Sequence, residues 1–206
     1  MRRALFICVS ICTLALGPGS PPSVLCAVGW GPASAQKPAA DWTTLFDGTN
    51  LDHFNTVGNA NWKLGGGMVE ATSGPGFLIT KENYANFELR VEFWVDEGAN
   101  SGVYMRCEDA KQITDKTCYE ANIFDKRPDQ SGRTGAIVHI AKLLAIVDAG
   151  GKWNTYEITA KGPELTVRLN GTLTAQAKDD KFTNGPIALQ YMAGTVRFRR
   201  VQIRRL

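Results

Sequence analysis

Residues 86–125 read NFELRVEFWVDEGANSGVYMRCEDAKQITDKTCYEANIFD, and this stretch decides the fold. Phe87, Leu89, Val91, Phe93 and Val95 alternate with Glu88, Arg90, Glu92, Trp94 and Asp96. A two-residue period predicts a strand with one buried face and one polar face. GVYMRC (102–107) and CYEANIF (118–124) follow as two more strand-like runs, one ending and the other starting at a cysteine.

Outward from there the pattern repeats. TTLF (43–46), NWKL (61–64), MVEA (68–71), FLIT (77–80), AIVHIA (136–141), WNTYEITA (153–160), LTVRL (165–169), TLTAQA (172–177), PIALQY (186–191) and TVRFRRVQIRRL (195–206) are further candidate strands. Glycine-rich turns lie between them. Asn170-Gly171 predicts a two-residue hairpin with a type I′ turn. In the last run Val196 and Phe198 are out of phase with Val201 and Ile203, so a β-bulge near Arg199-Arg200 is needed to keep all four in the core. Residues 141–147 are apolar but long enough for only a turn of helix. Short strands with frequent turns predict an all-β fold, an antiparallel β-sandwich of jelly-roll type.

Arg2 and Arg3 precede an apolar run from Ala4 to Leu16, and Ala33-Ser34-Ala35 offers small residues of the kind a signal peptidase reads. Residues 1–35 are therefore expected to be a signal peptide, 36–41 a short tether and 42–206 one domain. The chain is expected to be exported, to the periplasm or beyond the cell. The apolar run is too short for a comfortable transmembrane span. Arg2 and Arg3 are the only charged residues of this leader, so the remainder carries 21 basic against 20 acidic side chains. That balance argues against a nucleic-acid partner, which would call for a basic stripe. Beyond the leader only Cys107 and Cys118 remain, with ten residues between them. In an exported chain the pair reads as a disulfide. A metal site is the alternative, although no CxxC or neighbouring histidine accompanies it.

Two histidines, His53 and His139, cannot build a three-histidine zinc site. No G-x-S-x-G elbow is present. Gly65-Gly66-Gly67 precedes a strand rather than a helix, so it reads as a turn and not a phosphate cradle. Carboxylate chemistry is what remains. Glu92 shares a polar strand face with Glu88, Arg90 and Trp94, a face that equally reads as plain solvated surface. Glu120 and Asn122 share a face of CYEANIF, which Asp125 terminates, and Arg106 precedes Cys107. Glu120 lies between Tyr119 and an apolar run, where partial shielding would raise its pKa. Such strands could line a groove for a polar ring, with carbohydrate the first candidate. One constraint links the features: with Cys107 directly opposite Cys118, Arg106 and Glu120 point to opposite faces. They share a face only if the bridge lies outside the ladder or a bulge intervenes.

WTTLFDGTNLDHF, NWKL with its glycine turn and MVEA, FLITKENYANFELRVEFWV, ANSGVYMRC, CYEANIFD, GKWNTYEITAKG, LNG and GPIALQY followed by VRFRRVQIRRL occur in an order that resembles the 3-keto-disaccharide hydrolase family. The resemblance spans Trp42 to Leu206. It implies a concanavalin A-like lectin/glucanase sandwich and an enzyme that cleaves glycosides oxidised at carbon 3. A ketone there acidifies the neighbouring C2–H, so a carboxylate can remove that proton, the C1 substituent is eliminated, and water adds afterwards. On this resemblance Glu120 is expected to be the base, Arg106 to stabilise the enolate and Glu92 to be the second carboxylate. Asn100, Asn122, Asp125 and Gln190 are expected to contact sugar or a divalent metal ion, and Trp153 to stack a ring or form a structural corner. Many members carry histidine-glycine where Met192-Ala193 stands here, which puts any metal binding or acid catalysis by that histidine in doubt. The competing readings are a non-catalytic carbohydrate-binding module and a passive envelope domain.

Overall fold

The computed structural model describes residues 41–206; the signal peptide expected over residues 1–35 and the tether up to residue 40 lie outside the described residues. Thirteen strands follow in chain order: β1 (Thr43–Phe46), β2 (Phe54–Gly58), β3 (Lys63–Gly65), β4 (Met68–Ala71), β5 (Gly76–Thr80), β6 (Phe87–Val95), β7 (Ser101–Met105), β8 (Tyr119–Ile123), β9 (Trp153–Lys161), β10 (Glu164–Leu169), β11 (Thr172–Lys178), β12 (Ala188–Tyr191) and β13 (Val196–Arg205). An eight-stranded antiparallel sheet has the order β11–β10–β9–β6–β13–β4–β3, with β1 also paired to β13. A five-stranded sheet has the order β2–β5–β12–β7–β8. The only helical element among the described residues is the 3₁₀ turn Gln130–Gly132. The fold is the expected all-β sandwich.

The alternation of β6 explains its central position. Phe87, Leu89, Val91 and Phe93 are fully buried, whereas Glu88, Arg90, Glu92 and Trp94 retain exposure on the other side. They meet Tyr156 and Ile158 of β9 and Val201 and Ile203 of β13 in one core. The five-stranded sheet fills the core from across with Leu78, Val103, Met105, Tyr119, Ala121, Ile123 and Leu189. Each large apolar side chain buried this way contributes about 1.5–3 kcal/mol. The β13 bulge is present: the pairing of β13 with β6 shifts between Phe198 and Arg200, and Val196, Phe198, Val201 and Ile203 are all buried. Asn170 and Gly171 both have positive φ, as a type I′ turn requires.

Two elements differ from expectation. β2 pairs with β5 along its whole length, yet Asn55, Thr56 and Gly58 face solvent, so this edge strand carries no apolar alternation to reveal it. AIVHIA forms only isolated bridges, Ile137 with Ala121 and with Ala141. His139 takes a left-handed backbone (φ 64°), and Ala141 donates back to the Ile137 carbonyl at 2.8 Å, which folds the run into a turn.

A second, smaller cluster lies on the side of the five-stranded sheet away from the core. Ile79, Tyr104 and Ala188 pack there against Cys107, Ile113 and Cys118. Cys107 and Cys118 are disulfide-bonded, with Cα atoms 4.2 Å apart. The bridged loop thus covers part of the sheet's outward face, and it is this face that carries the site.

Candidate active site

In an antiparallel ladder, directly opposed residues share a face. Tyr104 stands opposite Glu120, Gly102 opposite Asn122, and Ala188 opposite Tyr104. Gln190 lies two residues beyond Ala188 on the same side. The outward face therefore brings Glu120, Asn122, Tyr104 and Gln190 together on three neighbouring strands. All four are buried, Glu120 with 5% of its surface exposed.

Burial pushes the Glu120 carboxyl up from its ordinary 4.5 to about 7, with the charge of Asp115 adding to the rise. The Tyr104 hydroxyl and the Arg127 charge oppose it. Gln190 Nε2 donates to the Tyr104 hydroxyl oxygen at 3.1 Å, which leaves the phenolic hydrogen for the Glu120 carboxylate beside it. Tyr104 is correspondingly held far above its ordinary range, first by burial and then by Glu120. A Cβ on Gly102 would stand 2.7 Å from Glu120 Oε1, so the carboxyl occupies space that only glycine leaves open. Asn122 donates to the Gly132 carbonyl at 2.6 Å, while its Oδ1 and the Gln190 Oε1 are buried acceptors without a protein partner. Buried acceptors of this kind are costly unless something donates to them.

Glu120, Asn122 and Gln190 are thus brought together, and alternation puts Asn100, bridged to Ala193, at the far end of the same face. The other expected site residues do not join them. Arg106, 1% exposed, has a left-handed backbone (φ 53°) that breaks the alternation of β7. Its guanidinium donates to the carbonyls of Ala85 at 2.8 Å, Gly162 at 2.9 Å and Phe182 at 3.1 Å. The bridge does lie outside the ladder, as a shared face required, but the local backbone turns Arg106 away. The enolate-stabilising role expected of it has no geometric basis.

Glu92 lies on the outer face of the opposite sheet, where Arg199 donates to it at 2.5 Å. Trp153 is on that face too, with the Arg199 guanidinium 4.3 Å from its ring centre. Asp125 accepts from Thr134 Oγ1 at 2.6 Å and from the Ala149 and Gly150 amides at 2.9 Å, so it closes the 125–150 segment on itself. For the expected divalent ion, no group of three or more His, Cys, Asp or Glu side chains comes together among the described residues. The carboxylate of Glu120 and the free carboxamide oxygens of Asn122 and Gln190 are oxygen ligands of the kind a hard dication takes, and these are the residues that would hold one.

Sequence reasoning missed Gly102 and Tyr104. The signal was available, since GVYMRC alternates and both fall on one side, but choosing between them and Arg106 needed the register with β8.

The fold and site together define a concanavalin A-like sandwich of the lectin and glycosidase kind, with a desolvated carboxylate on the outward face of its smaller sheet. The chain belongs to the family of 3-keto-alpha-glucoside-1,2-lyase-like domains, whose model matches residues 41–204. Among solved structures it is similar to a candidate glycosyl hydrolase from Parabacteroides distasonis, at 28% identity and a TM-score of 0.68 over 81% of this chain and 100% of that one. A second from the same organism matches at 18% identity and a TM-score of 0.72, over 80% and 94% of the two chains. The carbohydrate-binding module CBM66 from Bacillus subtilis matches at 18% identity and a TM-score of 0.56, over 80% and 96%, a likeness of fold alone. Among curated proteins none matches the chain significantly.

Proposed function

We propose that this protein cleaves 3-keto-glycosides by proton abstraction and elimination, followed by hydration of the unsaturated sugar. The observation that carries the reading is the Glu120 carboxyl, buried beside a tyrosine hydroxyl and pushed up to about 7 by that burial. A base poised near neutrality is half deprotonated where it works and still strong enough to take an acidified carbon-bound proton. Glu120 removes the C2 proton of the keto sugar, electron density moves onto the carbonyl oxygen, and the C1–O bond breaks. Tyr104, steadied by Gln190, holds the carboxylate in one orientation. The unpartnered oxygens of Asn122 and Gln190 accept sugar hydroxyls, which places the C2–H against Glu120. Met192, just past the end of β12, carries a thioether that can neither give nor take a proton, so it has no acid role. Action outside the cytoplasm fits the Cys107–Cys118 bridge, because disulfides persist in oxidising compartments.

The test is turnover of 3-keto-trehalose or a 3-keto-glucoside by the purified protein and by Glu120→Gln. Wild type should release product, and the variant should lose about 10²-fold or more in kcat/KM. Equal turnover by both proteins removes Glu120 from the base role. Sugar binding with no product from wild type marks a carbohydrate-binding module instead.

A further inference from the structure

Elimination from a sugar leaves an alkoxide-like oxygen that needs a proton, and the residues on the sheet face do not supply one. Burial and Glu120 hold the Tyr104 hydroxyl far above its ordinary range, its hydrogen is directed at Glu120, and Glu120 is occupied with the C2 proton. The segment beside β8 offers another group. Ile137 bridges Ala121, the Val138 amide donates to the Glu120 carbonyl at 3.0 Å, and the Asn122 amide donates to Ala136. Residues 136–138 therefore run along the edge of β8 as an added strand, and His139 follows directly. Its backbone is left-handed, a conformation uncommon outside glycine and often retained at functional positions. His139 Nε2 lies 2.8 Å from Asp115 Oδ2, on the disulfide-bridged loop. That contact ties together the two segments flanking Glu120, and Asp115 is near enough for its charge to act on both Glu120 and Tyr104. His139 also lines a cavity of about 260 Å³ with Arg127, whose charge likewise reaches Glu120.

We infer that His139, oriented by Asp115, is the acid that protonates the departing glycosidic oxygen, and that the adjoining cavity receives the leaving group. The inference rests on the elimination reading above. In the first half-reaction Glu120 gains the C2 proton while imidazolium His139 gives its proton to the leaving oxygen as the C1–O bond breaks. In the second, neutral His139 takes a proton from water as its oxygen bonds to C1, and Glu120 returns its proton to C2. Both groups end as they began, so the cycle balances with water as the only co-reactant. An imidazole suits this exchange because it is the side chain that ordinarily changes charge near neutrality. A carboxylate on one ring nitrogen fixes the orientation of the ring.

The experiment compares two substrates that differ only in leaving group, a 3-keto-disaccharide and p-nitrophenyl 3-keto-glucoside. Nitrophenolate is a weak base and departs without protonation; a sugar alkoxide does not. His139→Asn is the first variant, because asparagine tolerates the left-handed backbone, and His139→Gln the second. Each should lose about 10²-fold in kcat/KM on the disaccharide, whereas nitrophenolate release, which precedes the hydration that His139 also serves, should fall by less than about threefold. Asp115→Asn should give the same split with a smaller loss. An equal loss on both substrates, or no loss on the disaccharide, overturns the assignment. Wild-type protein inactive on both overturns the elimination reading itself.

Discussion

Glu120 is placed where an ionised carboxylate costs the fold stability. Its pKa rises from 4.5 to about 7 on folding. Between those values the folded state holds a proton that the unfolded chain has already released, so stability falls as pH climbs through this window. Below 4.5 both states are protonated and the penalty vanishes; above 7 it is fully present. The shift corresponds to about 3 kcal/mol. Glu120→Gln, which cannot ionise, should gain on wild type by about that amount between pH 4 and pH 8 in urea denaturation. A difference that stays flat across the range shows that the carboxyl is not desolvated. Arg106 illustrates a different residue-scale outcome. It was a reasonable candidate on charge and position, yet its donors satisfy three backbone carbonyls from separate parts of the chain. A left-handed residue in a short loop leaves no trace in an alternation pattern, so its direction was not legible.

At the scale of elements, the β13 bulge lets one long strand serve two phases of the core. Deleting Arg199 removes the extra residue, so Val196 and Phe198 or Val201 and Ile203 must turn toward solvent. Losing the burial of two such side chains costs about 3–6 kcal/mol, enough to consume much of the stability of an ordinary domain. The deletion variant should therefore be largely unfolded by circular dichroism at 25 °C. A protein within about 1 kcal/mol of wild type means the register is not pinned there. The bulge, the hairpin at Asn170-Gly171 and the strand character of β6 were legible because each leaves a local mark. β2 was not, since an edge strand needs no apolar face. AIVHIA looked like a strand but turns at His139, and nothing in its composition marks the break. The grouping of Tyr104, Glu120 and Gln190 was only half legible: Gln190 is 70 residues from Glu120 in sequence, and only the β12–β7–β8 pairing joins them.

Over the whole molecule, the two outer faces differ in kind. On the larger sheet four arginines are paired with carboxylates: Arg90 with Glu157 at 3.2 Å, Arg197 with Glu70 at 2.5 Å, Arg199 with Glu92, and Arg204 with Glu88. Trp42, Trp94 and Trp153 lie beneath these guanidiniums at 4.3–4.5 Å. Such pairs largely neutralise one another, whereas the smaller sheet keeps two buried oxygens without donors. Glu92→Gln and Trp153→Ala should therefore leave kcat/KM on a 3-keto-glycoside within about twofold of wild type. Each should cost no more than about 1 kcal/mol of stability. A tenfold loss of turnover in either variant would return that face to consideration as part of the site.

Gly102 carries an implication for descent. It adopts no positive φ and sits inside an ordinary strand, so the backbone itself does not demand glycine there. What forbids a side chain is the acid group across the ladder. Sister chains that abandoned the acid would be released from this veto, and drift would soon fill the hole with alanine or serine. The residue at this one place in a relative is thus a cheap marker of whether that lineage still practises the chemistry.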